Sequence, residues 1–313
     1  MPLLRVPAFR GAQVGAGVVV LATLVVLLDV RMDEWPPETR LACEAGLGVL
    51  VWALVIGTPP AEGTPRPWLA ALCLSAILLL TLALGHVVDL LGADGFYGLT
   101  EGDPPYGGLA GAMLAVCVAA GWCARRRDAA SCALIAGVAG TLVVLLWAGW
   151  AVDPSRQTLR WLLALCALVL LVLTLAQRDG KPEHGAQLAN AGGLAVAGIG
   201  HTAGLGPFAL LFFASPVSGL GAGWELLLLA AGFGLLAYGA VDGHRGPVVI
   251  GLINVATFIE AAARDDSGFV GWPLVLLLAG LALLAIGLRP TTPAPPEPGW
   301  GTEPPPPIDV TVR

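Results

Sequence analysis

Apolar runs recur along the whole chain, each long enough or nearly long enough to cross a hydrocarbon layer, and each ends in a short polar or proline-rich connection. About 20 residues of helix span a bilayer core. On that measure residues 14–28, 41–56, 68–91, 108–123, 132–152, 159–176, 187–213, 224–241, 248–263 and 272–288 read as ten transmembrane helices. The first run is long for a signal-peptide core. It ends in LLDVRMDEW without a small-residue cleavage site, so it reads as an uncleaved anchor. The connections carry the breakers: Pro36-Pro37, TPPAEGTPRP, the acidic and aromatic GADGFYGLTEGDPPYGG, Asp153-Pro154 and DGHRGP. The pattern predicts an all-α fold, a polytopic transmembrane helical bundle over residues 1–289. Residues 290–313 hold nine of the 25 prolines and are expected to form a disordered, partly polyproline cytoplasmic tail.

One run is unlike the others. Residues 187–213 have no charge, yet contain six glycines, His201 and Pro207. Glycines and alanines at helical spacing (Gly193 and Ala197, Gly200 and Gly204) let backbones approach closely. Pro207, after Gly206, removes a backbone donor and breaks an ordinary helix. The segment is therefore expected to be a tight packing seam followed by a helix break.

Composition agrees with the pattern. Of 313 residues, 57% are hydrophobic and 12% charged, and the mean hydropathy is +0.81. A soluble domain carries about 25% charge. The net charge of −6 carries no nucleic-acid signature. Arginine and lysine set orientation. With the amino terminus inside, inner connections hold eleven of these residues (among them Arg125, Arg126 and Arg127) and outer ones five. Both termini are then cytoplasmic. The Arg125–Arg126–Arg127 cluster is a topology determinant, or a contact for anionic lipid. Beyond the lipid bilayer no partner is indicated.

Ionisable residues inside a membrane each cost roughly 2.5–3.5 kcal/mol at its centre and so need a reason. They are Glu44, His86, Asp89, His201, Glu225 and Glu260, joined by the neutral Asn190 and Asn254. In the orientation above all six ionisable groups fall in the outer halves of their spans. Glu44 and Glu225 are expected in first helical turns, where the dipole favours a carboxylate. His86 and Asp89, three apart, share a helix face and read as a hydrogen-bonded pair, a proton relay or the seed of a metal site. His201 either bonds a neighbouring helix or titrates near neutral pH. Asn254 is expected to bond across a helix interface.

The six cysteines, Cys43, Cys73, Cys117, Cys123, Cys132 and Cys166, form no CxxC pair and read as buried, unreactive thiols. No HExxH, GxSxG, P-loop or nucleotide fingerprint is present. No catalytic residue, cofactor or metal site is therefore expected.

Residues 224–289 carry WELLLLAAGFGLLAYGA, DGHRGPVVIGLINVATFI and GWPLVLLLAGLALLAIGLRP. This stretch resembles uncharacterised multi-pass inner-membrane proteins of high-GC, actinobacterial-type bacteria. The resemblance implies a bacterial inner-membrane location and no activity. Separately, ten spans with both ends inside is the layout of drug/metabolite transporters, a fold-level analogy. Residues 1–152 and 153–289 show no mutual repeat. Two readings follow: a polytopic protein without a substrate path, or a small-solute or proton-coupled transporter using the acids and histidines. A lipid-acting membrane enzyme is a third, weaker reading.

Overall fold

The computed structural model describes residues 11–31, 36–58, 67–90, 106–152, 154–203 and 220–264. They form helices α1 (Gly11–Arg31), α2 (Pro37–Gly57), α3 (Pro67–Leu90), α4 (Tyr106–Arg127), α5 (Ala130–Val152), α6 (Arg156–Gln177), α7 (Pro182–His201), α8 (Ala222–Asp242) and α9 (Arg245–Arg264). No strand occurs among the described residues. The chain divides into two units, Met1–Asp265 and Asp266–Arg313. The second unit, with the tenth expected span and the proline-rich tail, lies outside the described residues, as do Gly206 and Pro207.

Among the described residues, seven helices are long and apolar enough to cross a membrane: α2 to α6, α8 and α9. The apolar part of α1, Gly11–Leu27, is shorter. Much of this apolar surface faces outward. On α6, Trp161, Leu165, Leu168, Val172 and Leu175 are each more than half exposed. A soluble monomer rarely shows so continuous an apolar face. In lipid the face costs nothing, and helices satisfy their own backbone groups there. The bundle is thus compatible with an integral membrane protein.

The first core joins α1 to α5. Val51, Val55, Leu69, Leu72, Ala76, Leu79 and Ala120 are fully or almost fully buried in it. α1 and α2 pack on α3, which passes against α4 and α5. The second centre is α7. It packs against α5, α6, α8 and α9, and most of its residues are buried. Small residues make this possible. A Cβ on Gly193 would sit 2.5 Å from both Ile250 Cγ2 and Leu235 Cδ1, and one on Gly137 of α5 would sit 2.6 Å from Ala191 Cβ. The close-approach expectation for Gly193 therefore holds. α7 is not among the seven apolar spans. Glu183, His184, Gln187 and Asn190 lower its hydropathy, and its alanine-glycine surface is turned to protein rather than to lipid. It also starts at Pro182, five residues before the expected start, because proline is well placed in a first turn.

α8 and α9 form an antiparallel pair joined by a tight turn at Gly243, whose φ of 70° suits glycine. Their backbones nearly touch. A Cβ on Gly251 would lie 2.7 Å from Gly232 O, and one on Gly239 would lie 2.7 Å from His244 O.

Side-chain ties fix one end of the bundle. Arg127, the last residue of α4, donates from Nη1 to Thr58 O and from Nη2 to Ile56 O at 2.9 Å, capping the carboxyl end of α2. Its guanidinium also stands 5.4 Å over the Trp122 ring. Arg125 and Arg126 are exposed. Asp128, in the left-handed turn between α4 and α5, accepts from Lys181 Nζ at 2.5 Å. His184 Nε2 lies 3.0 Å from Ala124 O, the only role there being to donate its proton.

Candidate functional site

Three helices bring three ionisable side chains together inside the bundle. α1 carries Asp29 near its end, α2 carries Glu44, and α3 carries His86. All are buried: Asp29 is 7% exposed, His86 4% and Glu44 1%. His86 Nε2 lies 3.1 Å from Asp29 Oδ1 and 3.3 Å from Glu44 Oε1. The carboxylate oxygens and the imidazole nitrogen all lie within 4.8 Å of one another. Arg40, from the first turn of α2, approaches Asp29 Oδ1 at 3.7 Å.

The Glu44 oxygens lack hydrogen bonds of good geometry among the described residues, although the imidazole is close. An unsatisfied buried carboxylate is expensive. Opposite charge at about 3 Å is the compensation present. Two carboxylates and one guanidinium sum to −1, and a protonated imidazole brings these four groups to zero. A histidine with two carboxylates is also a donor set for divalent metals, but the Arg40 cation beside Asp29 opposes a second positive charge.

The sequence pointed to part of this centre. Glu44 and His86 meet. Glu44 is not in a first turn, however: α2 begins at Pro37, so Glu44 sits two turns in and the helix dipole does little for it. Asp89 lies on α3, one turn beyond His86, and its side chain is outside those described. Asp29 was missed because DVRMDEW reads as a polar loop, whereas α1 continues to Arg31. The available signal was Arg40 and His86, two partners able to hold a carboxylate at a helix end.

The other candidates stand elsewhere. His201 is half-buried at the end of α7, with Nδ1 2.9 Å from Ala197 O of its own helix. Glu225 is fully buried in the first turn of α8, as expected. Glu260 is half-buried near the end of α9. Asn254 bridges helices, its Nδ2 donating to Gly193 O at 3.1 Å and to Ile250 O at 2.9 Å. Asn190 donates to Gln187 Oε1. These residues belong to α7, α8 and α9, which pack about α7, while α1 and α2 pack on α3. An apolar groove of about 460 Å³ opens between α6, α7 and α8, lined by Leu168, Gly192, Gly193, Leu227 and Leu235 among others; none of the eight candidate residues is among its lining.

The cysteines divide. Cys43 is exposed, and Cys117 and Cys166 are half-buried. Cys73, Cys123 and Cys132 are fully buried and place their sulfurs within 4.8 Å of one another. Spacings of 50 and 9 residues match no ligand motif, so this cluster was not legible in sequence. No protein-family model, curated protein or solved structure matches this chain.

Proposed function

We propose that the protein is a proton-coupled carrier of a small solute in a bacterial inner membrane, with ten spans and both termini cytoplasmic. One observation supports this reading above others: Asp29, Glu44 and His86 converge from three apolar helices into one buried centre of two carboxylates and an imidazole. Ionisable groups at such positions are costly and mark ion or proton paths in membrane proteins. Imidazole is the side chain suited to exchange a proton near neutral pH. The arginine distribution and the resemblance of residues 224–289 support the location.

The competing reading is a polytopic protein without a substrate path, in which the centre only ties α1, α2 and α3 together. The placement of His201, Glu225 and Glu260 on other helices favours it. The two separate in proteoliposomes adsorbed on a sensor membrane. A step from about pH 8 to about pH 5, the range in which imidazole changes charge, should displace charge in the wild type. His86→Ala should abolish the signal while inserting normally. A solute panel applied across the same pH gradient then seeks coupled current. Equal pH-step signals from wild type and His86→Ala would remove the carrier reading. A reporter fused after Arg313 tests the orientation and should be active only in the cytoplasm.

A further inference from the structure

We infer that Cys73, Cys123 and Cys132 form a binding site for a soft, thiophilic cation, monovalent copper foremost. The sulfurs come from α3, α4 and α5, at the end of the bundle away from His86. His86 is 13 residues further along α3, about 20 Å at helical rise. All three cysteines are fully buried, and their sulfurs fall within 4.8 Å of one another.

The spacing suits one shared ion. A metal–sulfur bond of about 2.3 Å in a planar trigonal site puts sulfurs about 4.0 Å apart. The cluster needs to contract by less than about 1 Å to reach it. A disulfide would require about 2.05 Å for one pair and would strand the third thiol. Zinc in structural sites takes four ligands. The Cys73–Cys123–Cys132 cluster holds three thiols and no histidine or carboxylate. Soft thiolate donors suit copper(I), zinc and iron–sulfur clusters, and a set of three without a fourth ligand favours copper(I) among them.

Charge and access point the same way. Binding turns three thiols into thiolates: each sulfur gives a lone pair to Cu⁺ and releases its proton to solvent. The copper stays monovalent, so nothing is oxidised or reduced. The product carries −2, and Arg127 lies one turn after Cys123 on α4. Its guanidinium is held in place by Thr58 O and Ile56 O. A recess of about 300 Å³ beside the cluster is lined by Pro67, Ala70, Arg127, Asp128, Ser131 and Glu183. Ala70 is one turn before Cys73, and Ser131 adjoins Cys132. Glu183 is the acidic group of this lining, Asp128 being paired with Lys181. In the orientation proposed above this end faces the cytoplasm, where thiols stay reduced.

The test uses the full-length protein in detergent, reduced and free of oxygen, titrated with copper(I) against a chromogenic chelator. One copper per chain is expected, with three sulfurs and no nitrogen or oxygen in its X-ray absorption shell. Cys73→Ser, Cys123→Ser and Cys132→Ser should each weaken binding by about tenfold or more. Cys43→Ser and Cys166→Ser should not. A second measurement needs no variant: copper(I) should slow alkylation of Cys73, Cys123 and Cys132 in the wild type while Cys43 still reacts. Affinity unchanged by all three serine variants, a shell containing nitrogen or oxygen, or alkylation indifferent to copper would overturn the site.

Discussion

Replacing His86 by alanine removes the imidazole between two buried carboxylates, and for a protonated imidazole the cost can be worked from the distances. At an effective dielectric of about 20, unit charges 3.1 and 3.3 Å apart attract by about 5 kcal/mol each. The two carboxylates, at no more than 4.8 Å, repel by about 3.5 kcal/mol or more. Desolvation of each ion offsets much of the attraction, so the intact centre contributes little net stability. Breaking it is different. His86→Ala leaves the repulsion and the desolvation uncompensated, and a loss of about 3–5 kcal/mol is expected. Glu44→Gln in that background removes the repulsion and should return about 2 kcal/mol or more. The pair is therefore non-additive in a double-mutant cycle. Thermal unfolding in detergent, followed by tryptophan fluorescence, reads all four proteins. If the two substitutions add, with the double variant less stable than His86→Ala, the carboxylates do not depend on the imidazole and the charge argument is wrong.

Two further substitutions probe packing with the same assay. Gly251→Ala places a methyl 2.7 Å from Gly232 O and 3.0 Å from Leu236 N, both backbone atoms that cannot rotate away, so α8 and α9 must separate. Overpacking of that kind costs about 1–3 kcal/mol, whereas Gly234→Ala on α8 meets nothing within 4 Å and should be neutral or slightly stabilising; equal melting temperatures would refute the close contact. Asn254→Leu gives up a bond to Gly193 O but also removes an Oδ1 that accepts no hydrogen bond among the described residues. The loss should stay below about 1 kcal/mol, near the average for interhelical bonds in membranes, and a much larger one would mean that Asn254 does more than join α7 to α9.

Helical class and most of the span positions were legible because a bilayer imposes one length on every crossing helix. Features decided by contact were not. The carboxylate of Asp29 reads as loop because local sequence cannot show that His86 and Arg40, 57 and 11 residues away, will hold it. His184 was read within the connection QRDGKPEH, yet it is buried as the third residue of α7, where Ala124 O accepts a hydrogen bond from its Nε2. The cysteine cluster has the same cause: three helices must pack before three sulfurs meet. Glycine was more informative, since Gly193 announced close approach through its spacing alone.

The two buried clusters share α3, and that sharing bears on how the protein works. α3 is the most buried of the seven apolar spans, so it is poorly placed to slide. Its His86 end meets Asp29 of α1 and Glu44 of α2, while its Cys73 end meets α4 and α5 and also α1, where Gly11 and Gly15 face Trp68. On the carrier reading, charge exchanged at this centre would change the attraction between α3 and the carboxylates of α1 and α2. The motion expected on that reading is of the Asp29 and Glu44 ends of α1 and α2, because Arg127 of α4 holds the other end of α2. A cation bound by Cys73, Cys123 and Cys132 would stiffen the packing of α3, α4 and α5 without touching the proton centre. Loss of copper binding should then leave the pH-step signal intact, whereas His86→Ala should remove the signal and leave copper binding unchanged.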